Sequence, residues 1–268
     1  LRELVKNIHR IDVGKRSGIY TYFFYHGGTF VKNGGRIGLI TSNSWLDVDF
    51  GKHLQEYFLK NFKIIAIIES KVERWFEDAD IITAITILER CSDKKARDEN
   101  LVKFVQLKVP LRQLIPHVDL EEKSRWKIID EFVKLIEKRI NYYEDDKIRI
   151  FPKKQAELWD EGYDDEKDKY VGAKWGKYLK APDIFFKIYS KCKDYFVPLS
   201  ELVSIYRGFT TGANDFFYLD KEKIEKFQIE REYIRPLVRT ARELRSLKIK
   251  RTNHWIFYCN KDKEELLN

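Results

Sequence analysis

The sequence predicts an α/β fold built on a mostly parallel sheet with an antiparallel edge hairpin. Three observations carry this. Short, almost wholly apolar runs at residues 36–41, 63–69 and 81–90 have the length and texture of buried strands. A helical pattern separates the first two, long enough for a parallel crossover. Only about ten residues, without helical periodicity, separate the second from the third, so the third strand returns antiparallel.

Taken in order, residues 19–32 give a broad apolar helical face through Tyr22, Phe23, Tyr25, Phe30 and Val31, and Asn33-Gly34-Gly35 ends it. The strand 36–41 leads into the polar loop Ser42-Asn43-Ser44-Trp45. A helix over 49–61 buries Phe50, Leu54, Tyr57 and Phe58. The strand 63–69 is followed by a charged loop carrying Trp75 and Phe76, then by the strand 81–90. Residues 101–108 suit one more strand. Residues 120–143 read as a long amphipathic helix, with Trp126, Ile129, Phe132, Val133, Ile136 and Ile140 near helical spacing. Residues 144–170 are polar, acidic and weakly periodic, and read as a linker. Residues 185–195 read as a helix. From Val197 the texture changes to short strand-like runs, glycine turns and dense arginines. The expected division is 1–108, 109–192 (helical connector and polar linker) and 193–268.

Composition narrows the function classes. Of 268 residues, 43% are hydrophobic and 15% aromatic, enough for a packed core and too many aromatics for a disordered chain. The net charge of +8 suits a polyanionic partner without requiring one. No apolar run approaches the roughly 18 residues of a membrane span. The three cysteines, Cys91, Cys192 and Cys259, form no C-x-x-C pair, which points to a reduced cytoplasmic chain. His9, His26, His53, His117 and His254 are scattered, with no metal-ligand spacing. The chain begins on leucine and holds no methionine. It is either an internal segment of a longer protein or a sequence stripped of its methionines.

Four features have residue types that chemistry uses. Arg235, Arg239 and Arg242 stand at i, i+4 and i+7, continued by Arg245; on a helix they form a cationic stripe for DNA phosphates, or equally a solvated face. The run 207–215, with Gly208 and Gly212 around Thr210 and Thr211, suits an anion-holding loop, though an ordinary hairpin turn is the commoner use; no Lys-Ser/Thr follows, so it is not a P-loop. Trp75 and Phe76 lie in the loop beyond a strand's carboxyl end, where an aromatic can stack on a planar ligand or simply anchor the loop. Ser42-Asn43-Ser44-Trp45 leaves the carboxyl end of the first strand, where open α/β sheets bind ligands, or else caps a helix. The acidic run Asp164-Asp165-Glu166 has no strand before it and reads as solvated linker.

These features occur in an order that resembles a known family. The run 34–46 (GGRIGLITSNSWL) is similar to the strand and loop after the catalytic motif in adenine-N6 DNA methyltransferases of restriction–modification systems, the gamma type that includes Type IIG enzymes. Residues 51–62, the strand ending at Glu69, the segment 75–80 (WFEDAD) and the strand 81–89 continue the likeness. Residues 174–179 (KWGKYL) with Ala181-Pro182, then 207–219 (RGFTTGANDFFYL) and 233–238 (YIRPLV), resemble the approach to the target-recognition domain and its first landmarks. The resemblance implies a partial Rossmann-like methyltransferase sheet, then helices and part of an α+β target-recognition domain. It implies methyl transfer from S-adenosylmethionine to the N6 amine of an adenine flipped out of double-stranded DNA. A fused or associated endonuclease would be a further partner.

The family's amine-holding Asn-Pro-Pro-Tyr-type loop and its glycine-rich cofactor loop have no counterpart in these residues. Both are expected upstream of Leu1, and the chain alone is expected to be inactive. Carried over residue by residue, Phe76, with Trp75 as its neighbour, matches the aromatic that packs on the flipped base. Leu39, Thr41 and Asn43 border the cofactor pocket. Arg207, Thr210, Thr211 and Asn214 fall in the DNA-facing region, with Arg235, Arg239, Arg242 and Arg245 on the DNA backbone. The alternative is a noncatalytic DNA-binding or specificity module that keeps a methyltransferase-like sheet.

Overall fold

A computed structural model describes residues 1–9, 13–76, 78–116, 122–204, 206, 208–244, 246, 252–262 and 264–265. Contacts divide the chain into two units, 1–196 and 197–268.

The first unit opens with α1 (Arg2–His9) and α2 (Tyr20–Phe30), the latter burying Thr21, Phe24, Tyr25 and Gly28 at helical spacing. The helix stops at Phe30. Gly34, with φ +79°, makes the turn into β1 (Arg36–Ser42) rather than capping the helix. A 3₁₀ turn (Asn43–Leu46) leads to α3 (Gly51–Asn61), which buries Leu54, Tyr57 and Phe58 and passes directly into β2 (Phe62–Ser70). Then follow β3 (Thr83–Arg90), α4 (Lys94–Asp98), β4 (Leu101–Leu107), α5 (Leu111–Leu114) and α6 (Glu122–Glu137). The unit is completed by β5 (Tyr143–Glu144), β6 (Ile148–Lys154), α7 (Gln155–Gly162), the small pair β7 (Tyr163–Asp164) and β8 (Lys169–Tyr170), α8 (Gly176–Lys180) and α9 (Asp183–Cys192).

The six-stranded sheet has the order β1-β3-β2-β4-β6-β5. β2 and β4 are parallel, while β3 runs antiparallel to both β1 and β2. β1 and β2 therefore share a direction, as expected, but they do not touch, and with β2–β4 the one parallel pair among the described strands of this sheet, the sheet is mixed rather than mostly parallel. The returning strand of the hairpin is inserted between them instead of lying at the rim. Alternation along the strands sorts side chains onto two faces. Ile67, Val102 and Phe104 join a core with Phe24, Trp45, Leu54, Phe58 and Trp175, while Ala66, Ile68, Val105 and Leu107 join Ile136, Ile148 and Ile150.

Two expectations are corrected. The long helix is shorter than 120–143: it covers Glu122–Glu137, and Tyr143 already belongs to β5. Residues 144–170 are not a linker, nor is 109–192 a connector outside the sheet. β6 pairs along its whole length with β4, and Ile148, Ile150, Leu158 and Tyr170 are buried. The acidic run forms the turn of the β7–β8 hairpin, where Asp164 pairs with Lys167 at 2.5 Å and Asp168 takes a positive φ.

One glycine holds the approach of α3 to the preceding turn. A Cβ on Gly51 would lie 1.9 Å from the Trp45 carbonyl oxygen. Gly51→Ala is expected to cost about 2 kcal/mol by overpacking against backbone. A thermal melt of the variant should fall by roughly 4–8 °C; an unchanged melt would show that the turn gives way freely.

The second unit holds α10 (Leu199–Leu202), α11 (Asn214–Phe217), β9 (Tyr218–Leu219), α12 (Lys221–Phe227), β10 (Ile234–Leu237) and β11 (His254–Phe257). Its strands pair antiparallel in the order β10-β11-β9. Among the described residues no helix is long and apolar enough to cross a membrane.

Candidate functional site

The carboxyl ends of β1 and β2 meet the start of β3 in one polar corner. Ser42 caps the turn that follows β1, its Oγ accepting from the Ser44 amide. The Tyr20 hydroxyl lies 3.0 Å from Ser44 Oγ. Asn43 is fixed twice: its amide N–H donates to the Ile82 carbonyl (3.1 Å), and its Nδ2 donates to Glu69 Oε2 (2.7 Å). Glu69 is only 4% exposed. Burial pushes its carboxyl above the usual range, opposed by the Asn43 hydrogen bond and the Lys180 charge.

The sign of this shift has a consequence. The folded chain keeps the Glu69 proton at pH values where the unfolded chain has lost it. Stability therefore falls as pH rises from the ordinary carboxylate range through the raised folded value. Glu69→Gln keeps an acceptor for Asn43 and removes the charge. It should melt higher than the wild type at alkaline pH, with the difference closing toward acid pH. Parallel melting curves across pH would sink this account.

The hairpin loop between β2 and β3 separates its two aromatics. Trp75 is partly buried against the second core, and its indole N–H donates to Glu73 Oε1 (3.1 Å), which also accepts from the Leu111 amide (2.7 Å). Arg74 pairs with Asp80 across the loop. Phe76 instead stands 47% exposed, and Val72, Ile81 and Ile82 of the same connection are exposed as well. Trp75 is the anchor of this loop, and Phe76 is the ring it presents.

The remaining expected site residues fall into place unevenly. Leu39 packs against the first core, and Thr41, half-buried, donates to the Ser42 carbonyl at 3.3 Å. In the second unit Thr210 is exposed in an irregular loop, not a hairpin turn. Thr211 Oγ1 donates to Asn214 Oδ1 (2.6 Å) and accepts from the Ala213 amide (3.2 Å), so this pair organises the start of α11. Arg207 and Arg245 lie outside the described residues. The arginine stripe is not helical. Arg235 is in β10, Arg239 follows it, and Arg242 is in a 3₁₀ turn closed by a capping box between Thr240 and Glu243. Pro236, next to Arg235, removes the amide a helix would need. The Arg235 guanidinium is spent on the Glu232 and Ile234 carbonyls (2.6 and 3.0 Å), and Arg239 lies over the Tyr218 ring. All three remain exposed. They belong to one unit and Phe76 to the other.

Sequence reasoning passed over Glu69 and Arg149, both buried charges on strands. For Glu69 a signal existed, a carboxylate closing an apolar strand. Arg149, between Ile148 and Ile150, offered none beyond the alternation of its neighbours. Among the described residues no group of three or more His, Cys, Asp or Glu could hold a metal ion, and all three cysteines are free.

Comparison with known proteins follows the same order along the chain. Residues 4–76 match the family model of the Eco57I restriction-modification methylase, and residues 172–268 match that of the Type II methyltransferase M.Eco57I C-terminal domain. The Type II methyltransferase M.AccI of Acinetobacter calcoaceticus is 24% identical over 267 residues, covering 99% of this chain and 40% of that protein. The chain thus spans about two-fifths of that relative. Among solved structures, the type IIG restriction endonuclease BpuSI aligns at 16% identity over 95% of this chain and 28% of its own, with a TM-score of 0.43. The type I restriction-modification methyltransferase subunit from Streptococcus thermophilus aligns at 15% identity over 59% and 30%, with a TM-score of 0.37. The two matched stretches, in order along the chain, are those of restriction–modification methyltransferase models: the Eco57I methylase first and the M.Eco57I C-terminal domain second.

Proposed function

We propose that the chain is part of a cytoplasmic, site-specific DNA methyltransferase that transfers a methyl group from S-adenosylmethionine to adenine N6 in duplex DNA. The observation that carries this is Phe76, an aromatic ring held half-exposed at the carboxyl side of the sheet while its neighbour Trp75 is anchored. An exposed ring there suits a base lifted out of the duplex, since the N6 amine is unreachable inside the stack. Adenine as the target rests on the resemblance of residues 34–46 and 75–80 to the adenine-N6 enzymes. Arg207, Thr210, Thr211 and Asn214 are assigned to the DNA-facing region of the second unit, and Arg235, Arg239, Arg242 and Arg245 to contacts with the DNA backbone rather than the bases. A fused or associated endonuclease belongs to the same proposal.

The residues present fit the border of a methyl-donor site, not the site itself. Asn43 commits its Nδ2 to Glu69 and Leu39 packs into the core, which leaves Thr41 and the local backbone to face a cofactor. In the whole enzyme this corner shapes one wall, and Phe76 holds the base.

The test is methyl transfer by the full-length protein to duplex DNA with isotope-labelled S-adenosylmethionine, followed by nucleoside digestion. Label in N6-methyladenine is the expected result. Label in methylated cytosine, or none at all, would overturn the assignment.

A further inference from the structure

A cavity of about 550 Å³ opens at the carboxyl ends of β2 and β4, lined by Ser70, Lys71, Gln106, Lys108, Arg149 and Lys180 among others. Arg149, on β6, is 5% exposed, yet its Nε and Nη2 have no hydrogen-bond partner. A guanidinium stays protonated and presents its N–H groups as a rigid fork, so burying it unpaired is costly. Its cross-strand neighbour Glu144 acts on it through charge but makes no hydrogen bond to its Nε or Nη2. That carboxylate is held by Lys108 at 2.9 Å and by the Tyr142 hydroxyl. Lys180 reaches Asp47 at 3.2 Å, and Lys71 stands exposed at the rim. Four cations thus face Glu69 and Glu144, and burial already biases Glu69 toward its neutral form.

We infer that this cavity is a binding site for a phosphate group, with the fork of Arg149 as its principal donor and Lys71, Lys108 and Lys180 around it. Arginine forks match phosphate oxygens in pairs, and such charge-assisted bonds are the strong ones. The cavity is bounded by Lys71 and Ile82, the two ends of the hairpin loop that presents Phe76. A backbone phosphate of the strand whose base meets Phe76 would enter here. That choice of source rests on the DNA-methyltransferase proposal; the anion site itself does not. Arg149 and Lys108 lie between the two stretches matched by the family models, while Lys71 and Lys180 lie within them.

The experiment compares the full-length protein with its Arg149→Met and Lys71→Gln variants. Melting is followed with millimolar inorganic phosphate against chloride of equal ionic strength, and binding of a short duplex is followed against salt. Wild-type protein should melt higher in phosphate. Arg149→Met should fold with an equal or higher melting temperature in chloride, because an unpaired buried charge is gone. It should lose the phosphate response, bind duplex about tenfold more weakly, and show a log–log salt slope shallower by about one. Lys71→Gln, exposed and harmless to the fold, should weaken duplex binding roughly threefold with a flatter slope. Loss of the phosphate response with duplex binding intact assigns the site to free phosphate. A phosphate response in a wild-type protein that binds no duplex leaves the site standing and removes the DNA proposal. The inference is overturned if wild type ignores phosphate and both variants bind duplex like wild type. It is equally overturned if Arg149→Met melts lower in chloride while Lys71→Gln keeps wild-type affinity and slope.

Discussion

Phe76→Ala in the full-length enzyme is expected to lower kcat/KM for methyl transfer about 10- to 100-fold, with no change in melting temperature. The magnitude follows from base–aromatic stacking, worth about 1–3 kcal/mol per base. The unchanged melt follows from exposure, because a half-exposed ring on a loop gives up little buried area. Trp75→Ala should show the reverse. Its indole packs on the second core and bonds Glu73, so its loss is expected to cost about 2 kcal/mol of stability. A fluorescent adenine analogue at the target position gives a direct readout: with Phe76 present the extruded base should be quenched, and with alanine it should brighten. Wild-type kcat/KM for Phe76→Ala, or a fallen melt, would assign Phe76 to loop anchoring instead.

The largest stability loss is expected at Gln155, which is 2% exposed. β2 carries a register shift between Ile64 and Ala66, and β4 pairs with it only from Ala66 onward. The backbone of Phe62 and Ile64 is therefore buried without a strand partner on that side. The Gln155 side chain replaces the missing ladder. Its Nε2 donates to the Phe62 carbonyl (2.7 Å), and its Oε1 accepts from the Ile64 amide and Asn100 Nδ2 (3.0 Å each). Gln155→Leu fills the volume but leaves the Phe62 carbonyl and the Ile64 amide unpaired, at about 1–3 kcal/mol each, and removes one of the two acceptors of Asn100 Nδ2. A total of about 3–5 kcal/mol is expected, read as a lowered denaturation midpoint. Gln155→Glu should lose less only at acid pH, where a protonated carboxyl can donate to Phe62 and accept from Ile64, and more at neutral pH, where a buried carboxylate faces the Phe62 carbonyl. Equal midpoints for Gln155→Leu and wild type would show that water or local movement satisfies those groups.

What was legible in the sequence was what periodicity and turn length control. β1, α3, β2 and β3 are runs of one texture each, and the short β2–β3 connection admits one direction of return. The place of β3 was not legible, because strand order depends on which edge is free and not on the strand's own residues. β6 was hidden by charge: Arg149, Lys153 and Lys154 stand among Ile148, Ile150 and Phe151, with Lys147 just before them, so much of the strand looks solvated. Gln55 was hidden for a related reason. A glutamine on a helix reads as surface, yet this one holds Ala173 through both its amide and its carbonyl and also accepts from the Tyr170 hydroxyl. The arginine spacing misled because it was counted without weighing Pro236. At the candidate site, the loop and its two aromatics were legible, and the division of labour between Trp75 and Phe76 was not, since it depends on what Glu73 and the second core do with the indole.

The intercalation of β3 also sets a schedule for biosynthesis. β1 leaves the ribosome first, but its partner arrives 53 residues later, the separation of the paired Arg36 and Glu89. At roughly 5–20 residues per second, that is about 3–10 s before β3 can pair with it. During this interval the edge of β1 that β3 will cover is open to other strands. Lesions in the β2–β3 turn should therefore appear first as insoluble protein and chaperone demand, before any defect in chemistry becomes measurable.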